Sequence, residues 1–354
     1  MVDKNPWLLY WLGVGKSLID PHESAALFEE AYRRFNATGD IVGLALSWSG
    51  VMDAIFHAYL DLRGMDPWIC EFDNKLAERV PALPPEISTR VILSLFVALS
   101  FRQPQHPDIQ HWIERVHVIL RSRQDFGLRP LFRLHLALHR IWQGELAEAE
   151  VLLGIFQRAN ESEPAGQPLD VVVGHLSEAT YALHAGLEER CLRAVSEGLA
   201  AAKRFGIVIF DSIMLGHAAA ICLNRGKLTR ADDFLRPFEA MLEQSPFVDS
   251  SYYYALAAWR QLHAGRQELA LQLFERASVS VETKGVLYFI AAFHLGFGLV
   301  FYLCNKRQEA LNHLQLGREM GKSIKNQLIE CEFHAHSATD STLIRPPIPA
   351  TSGH

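Results

Sequence analysis

The run Gly13-Val14-Gly15-Lys16-Ser17 holds the glycines, lysine and hydroxyl of a phosphate-binding loop. Such a loop needs another glycine five positions before the Gly of its Gly-Lys-Ser, with a buried strand ahead of it. That position here is Tyr10, and the preceding WLLYWLG reads as a helix. The segment is therefore expected to be a glycine-containing helix end. The sixteen histidines are a second source of chemistry. His135 and His139 stand one helical turn apart, a spacing at which two imidazoles can share a metal ion. No carboxylate or cysteine lies beside them, and the HExxH pattern is absent. Cys331, His334 and His336 form a looser cluster near the end of the chain. Surface or groove-lining histidines are the plainer reading, so neither a metal nor a cofactor is expected. Histidines in a groove would make it sensitive to mild acid.

Nothing else announces catalysis. No Ser, His and Asp arrangement and no paired carboxylates stand out, and Asp232-Asp233 and Glu29-Glu30 fall on outward helical faces. The cysteines lie in apolar helices, with Cys191 at a position reserved for small residues. A chain without nucleophile, base and oxyanion donors is expected not to be an enzyme.

Composition narrows the class further. The 354 residues are 49% hydrophobic and 21% charged, as in a folded domain, and the net charge of −6 is spread without long runs of one sign. Lys and Arg form no basic patch, so no nucleic-acid partner is expected. No apolar stretch is read as reaching the roughly 18 residues of a membrane span. Residues 287–304 come nearest, but His294 and two glycines interrupt them, so no membrane partner is expected. MVDKNPWLLYWLG has neither a basic start nor an A-x-A site, so no secretory leader is expected. The five cysteines are odd in number, far apart and without a C-x-x-C, which fits a reduced, cytoplasmic compartment.

The elements that must position these residues repeat. Gly144, Gly186, Gly226 and Gly265 each follow an apolar helical stretch, at separations of 42, 40 and 39 residues. The same step forward reaches Asn305, which also tolerates a left-handed turn, and steps backward reach Pro104 and Gly64. Small residues recur before each later turn (Ala137, Ala179, Ala219, Ala258, Gly298) and after it (Ala149, Cys191, Ala231, Ala270, Ala310). Bulky apolar residues follow at Leu153, Val195, Leu235, Phe274 and Leu314. Two antiparallel helices approach closely only where one offers a small residue and the other a larger one to fill the gap. A hairpin of this kind leaves one face unburied and must stack on its neighbours.

These columns resemble the tetratricopeptide repeat family. The match is best at GRQELALQLFERA (Gly265 to Ala277), GELAEAEVLL and GKLTRADDFL, and it covers roughly residues 45–327. The period of about forty departs from that family's usual length of about 34 residues. The longer units look like the sensor arrays of maltose-activator-like STAND regulators. The resemblance implies an all-α, right-handed superhelical solenoid of antiparallel helix pairs, about eight units in all. The array is expected over residues 1–337: less regular units at 1–125, regular units at 126–327 and a partial terminal helix at 328–337. Residues 338–354 have the composition of a disordered tail or linker. Before the regular part, a helix is expected at Trp7–Lys16, and Asp20-Pro21-His22-Glu23 reads as a helix start. Asp66-Pro67 and Pro107-Asp108 mark further starts, and loops are expected at 81–85, 160–169 and 244–250.

In the family the first helix of each pair lines a concave groove. Its lining offsets select a largely apolar set here, including Leu134, Leu138, Val173, Leu176, Thr180, Ile213 and Leu295. Longer helices would instead pack those aliphatic residues between units. Polar and aromatic members are costly to bury unpaired. The candidate groove residues are therefore Arg133, His139, Trp142, His175, His184, His217, Tyr252, Trp259, Arg260, His263 and His294. The expected function is a non-catalytic scaffold that binds a peptide or protein partner. The alternative is a small-molecule-sensing array of a STAND-type regulator whose nucleotide-binding and effector domains lie elsewhere. Array ends could also join copies into a homo-oligomer.

Overall fold

A computed structural model of the chain describes residues 5–17, 19–58, 61–122, 127–162, 168–244 and 249–326. The helix expected at 328–337, the tail at 338–354, the Cys331, His334 and His336 cluster and residues 163–167 and 245–248 of two expected loops lie outside these residues; the flanking residues 160–162 and 168–169, expected as loop, are helical. The described chain contains sixteen α-helices and no strand. In order they are α1 (Pro6–Lys16), α2 (Pro21–Thr38), α3 (Ile41–Ala58), α4 (Asp66–Lys75), α5 (Pro85–Arg102), α6 (Ile109–Arg121), α7 (Arg129–Gln143) and α8 (Leu146–Ser162). There follow α9 (Pro168–His184), α10 (Glu188–Phe205), α11 (Asp211–Asn224), α12 (Leu228–Gln244), α13 (Ser250–His263), α14 (Gln267–Lys284), α15 (Leu287–Leu303) and α16 (Arg307–Ser323). They form an all-α solenoid of helix pairs. Two compact units divide the described residues: those up to Leu136 with Thr283–Leu287, and those from Ala137 to Glu282 with those from Tyr288 to Asn326.

The turn register accounts for the second unit. Gly144, Gly186, Gly226 and Gly265 all have positive φ, from 68° to 83°, and Asn305 takes 58° in the same role. Each closes a pair by letting the chain reverse without a Cβ clash. The small columns are the contact lines: Ala137, Ala179, Ala219, Ala258, Ala149, Cys191, Ala231 and Ala270 are fully buried. At Gly298 a Cβ would lie 2.5 Å from Leu314 Cγ, so that pair of helices touches through the missing side chain. Along the array α9 packs on α11 and α11 on α13, while α8, α10 and α12 each pack on the helix that follows.

The first unit is less regular. Pro104 and Gly64 do not take the left-handed turn of the later positions. Asp20 caps α2 as expected, accepting from the Glu23 amide at 3.0 Å with Pro21 in the first turn. Gly13 lies inside α1, where a Cβ would stand 2.9 Å from Phe28, and its carbonyl accepts from the Ser24 hydroxyl at 2.8 Å. Lys16 pairs with Glu23 at 2.7 Å. The Gly-Lys-Ser run thus serves helix packing.

One expectation is corrected. Ile41–Ala58 is 18 residues long with a mean hydropathy of 1.4, so it meets the length and composition of a membrane span. The helix is 61% buried within the protein, with Ala45, Trp48, Val51 and Ala54 fully enclosed against α2 and α5. Trp48 Nε1 also donates to the Trp68 carbonyl at 2.9 Å. It is a core helix of its unit.

Candidate functional site

The candidate residues separate by what they touch. Three of them, His184, His217 and Tyr252, all in the second unit, meet in one hydrogen-bonded chain across first helices. Thr180 on α9 donates its hydroxyl proton to the Leu176 carbonyl at 2.8 Å. Its oxygen is then an acceptor, so His217 Nε2–H on α11 donates to it at 2.9 Å. That fixes His217 Nδ1 as an acceptor, and the Tyr252 hydroxyl on α13 donates to it at 2.9 Å. His184 begins a second branch: its Nδ1–H donates to the Thr180 carbonyl at 2.8 Å. Its Nε2 accepts from the Tyr288 hydroxyl on α15 at 3.2 Å. Tyr288 stacks on Trp142 of α7, with ring centroids 5.5 Å apart and planes 14° apart. The Trp142 carbonyl accepts from Asn326.

The chain is satisfied only with neutral imidazoles. Burial pushes His217 down to about 3, with His184 adding to the effect. His184 is also held below the ordinary histidine range by burial, against the pull of its bond to Thr180. Burial raises the Tyr252 phenol, so it stays a donor. Local packing makes this geometry possible. A Cβ on Gly216 would fall 2.3 Å from Tyr252 Cε1, so glycine there gives the ring its place beside α11.

The other candidates are engaged differently. Arg260 grips Asp232 of α12 in a bidentate pair at 2.8 and 2.9 Å. Trp259 meets Phe274 edge-on at 6.1 Å and packs on the core formed with Ala258, Phe297 and Val300. His175 turns toward Glu197 on α10 at 3.7 Å. His294 faces His313 on α16. His139 is buried and pushed down to about 4 by burial and then by Arg140. Arg133 is buried and belongs to the first unit. His263 is half-buried, and burial lowers its pKa. The aliphatic lining is largely packed: Leu134, Ile141, Val173, Leu176, Leu223 and Leu295 are all buried. Cys191 is fully enclosed and its thiol is pushed up to about 12, which makes it a packing residue rather than a nucleophile.

Sequence reasoning missed Tyr288 and Asn326 as partners of this face. Tyr252 stands 13 residues before its turn at Gly265, whereas Tyr288 stands 17 before Asn305. The shift of one helical turn hid it from a fixed offset.

No protein-family model and no curated protein matches the chain. A solved structure of a Rap protein complexed with competence and sporulation factor is similar over 84% of this chain and 80% of that one. The TM-score is 0.56 and the sequence identity 10%, so the likeness is one of fold. The chain is a helical-repeat protein. In this helical-repeat protein, the one-per-helix placement of Thr180, His217 and Tyr252 follows from the stacking of equivalent first helices.

Proposed function

We propose that this helical-repeat protein is a non-catalytic scaffold. The first-helix face of its second unit takes an extended peptide or protein segment. The observation that carries the reading is the ladder of Thr180, His217 and Tyr252, extended by His184 and Tyr288. It sets donors and acceptors on successive helices beside an aromatic wall of Trp142 and Tyr288. An extended chain offers backbone amides and carbonyls at regular intervals, which is what such a ladder can exchange bonds with. His184, Tyr252 and Tyr288 retain partial exposure, so they are the contact residues, with Trp142 beneath them. The complex of the similarly folded Rap protein with competence and sporulation factor supports the same use of the fold. The closed His184–Tyr288 bridge lies in the path of such a segment and has to open or exchange partners on binding.

The test is selection of a displayed random-peptide library on the full chain. Affinities of the selected peptides are then compared for wild type, Tyr252→Phe and His184→Ala. At least tenfold weakening in both variants is expected. Selected peptides that bind all three proteins equally would remove this face from the function. A thermal-shift response confined to a small metabolite, with no peptide enriched, would favour the ligand-sensing array instead.

A further inference from the structure

The chain leaves α16 beside Trp142. Lys325 takes a left-handed φ of 53° after the helix, and Ile324 and Asn326 on either side of it are buried. Asn326 donates its side-chain Nδ2 to the Trp142 carbonyl, and its backbone N–H donates to the Gly321 carbonyl at 2.9 Å. Residues 327–354 therefore start at the aromatic end of the ladder. Trp142 is one wall of an aromatic corner there. Tyr288 lies nearly parallel to it at 5.5 Å, and Phe289 meets it edge-on at 5.3 Å. Tyr288 and Phe289 are half-buried. The Tyr288 hydroxyl reaches His184 at 3.2 Å, the longest bond of the ladder.

The sequence that follows Asn326 includes Leu343-Ile344-Arg345-Pro346-Pro347-Ile348-Pro349. Its three prolines fix φ near −65° and remove three N–H donors, which leaves carbonyls as acceptors. A run of this composition is preorganised for the polyproline II form, which aromatic-lined grooves bind. Arg345 is the one charged side chain in residues 341–353, whereas residues 327–337 carry Glu330 and Glu332. A face built of neutral imidazoles, phenols and an indole takes the less charged run at the lower desolvation cost.

We infer that residues 343–349 dock on this corner in cis, over Trp142, Tyr288 and Phe289, and hold the first-helix face against an outside partner. The inference rests on the reading of that face as the partner's site. Proline rings pack on the aromatic planes, and the Tyr288 hydroxyl, with its long bond to His184, turns to donate to a proline carbonyl. A coil the length of residues 327–342 spans about 20 Å, enough for a segment whose tether starts at Trp142. Such a tether supplies an effective concentration of about 1 mM. A segment with an intrinsic Kd of about 0.1 mM then fills the face about nine-tenths of the time and weakens an outside peptide about tenfold.

The experiment uses the full chain with p-benzoylphenylalanine in place of Ile348, and mass spectrometry maps the photo-cross-links of the monomer. Cross-links to the peptides that carry Trp142 or Tyr288 and Phe289 are expected. They should fall at least fivefold when Pro346→Ser and Pro347→Ser are added. In a second arm, peptides selected from a displayed library on the P346S/P347S protein are titrated against that protein and wild type by fluorescence anisotropy. About tenfold weaker binding to wild type is expected. Cross-links spread over other surfaces, cross-links formed only between two copies, or equal peptide affinities for the two proteins would overturn the inference. Failure to select any peptide would remove the partner-binding reading alone, and the cross-link would then decide the docking by itself.

Discussion

His184 Nε2 lies 3.2 Å from the Tyr288 hydroxyl, a contact between residues 104 apart that joins α9 directly to α15. Tyr288 does more than hydrogen-bond, since its ring also stacks on Trp142. The two roles can be separated. Tyr288→Phe removes only the hydrogen bond and is expected to cost about 1 kcal/mol. Tyr288→Ala removes the stack as well and is expected to cost about 3 kcal/mol. Urea unfolding of both variants measures the difference. Equal costs would mean that the stack contributes nothing.

The buried histidines predict acid sensitivity. His217 is held at about 3, and His135 and His139 at about 4, all below the ordinary value of 6.5. The unfolded chain therefore takes up protons first as pH falls. The stability these neutral rings contribute is complete above pH 6.5 and is lost on descending from there toward 4 and 3. From pH 7 to pH 5 each should cost about 2 kcal/mol. Urea unfolding at pH 7, 6 and 5 should show this loss. His217→Gln, which does not titrate, should flatten the profile by close to one proton. An unchanged slope in that variant would show that His217 is already accessible to protons.

What was legible in the sequence was whatever depends on backbone reversal and close approach. Gly144, Gly186, Gly226 and Gly265 announced their turns because positive φ excludes most other residues, and Asn305 followed from the period alone. The alanine columns announced the contact lines for the same steric reason. The candidate face was only half legible. Trp142, His184, His217 and Tyr252 fell on it, whereas Arg260 and His175 turned toward second helices to meet Asp232 and Glu197. A long side chain can reach either surface of its helix, and which one it takes depends on a carboxylate far away in sequence. Tyr288 escaped because a helix one turn longer presents the same face with a different offset.

Two left-handed glycines separate backbone freedom from packing. Gly265 has φ of 75° with nothing near its would-be Cβ, while Gly285 has φ of 71° with Arg63 Cγ at 2.7 Å and Arg102 at 3.1 Å. Alanine at either position costs about 1 kcal/mol for the left-handed conformation. Gly285→Ala must also displace Arg102, which forks onto Asp66 and donates to the Gly285 carbonyl. Its total cost is expected to be about 2–4 kcal/mol. Denaturation midpoints of the two variants measure this. Equal costs would show that Arg63 and Arg102 relax freely.

Gly216 offers the sharpest test of the ladder. It neighbours His217 in sequence, and a Cβ there would stand 2.3 and 2.7 Å from two carbons of the Tyr252 ring and 3.1 Å from Phe238 Cε1. Alanine is an excellent helix former, so on an exposed face the substitution would stabilise α11 by about 1 kcal/mol. Here the overlap must push the Tyr252 ring outward, breaking its 2.9 Å bond to His217 Nδ1. A net loss of about 1–3 kcal/mol is expected. The loss should be non-additive: in a Tyr252→Ala background the two closest clashes are gone and only the 3.1 Å approach to Phe238 remains, so Gly216→Ala should cost little or nothing. A double-mutant cycle by urea unfolding measures that coupling, and NMR titration of His217 should show its pKa rising once water replaces the phenol. If Gly216→Ala costs the same with and without the Tyr252 ring, the glycine serves α11 packing on Phe238 and not the placement of Tyr252.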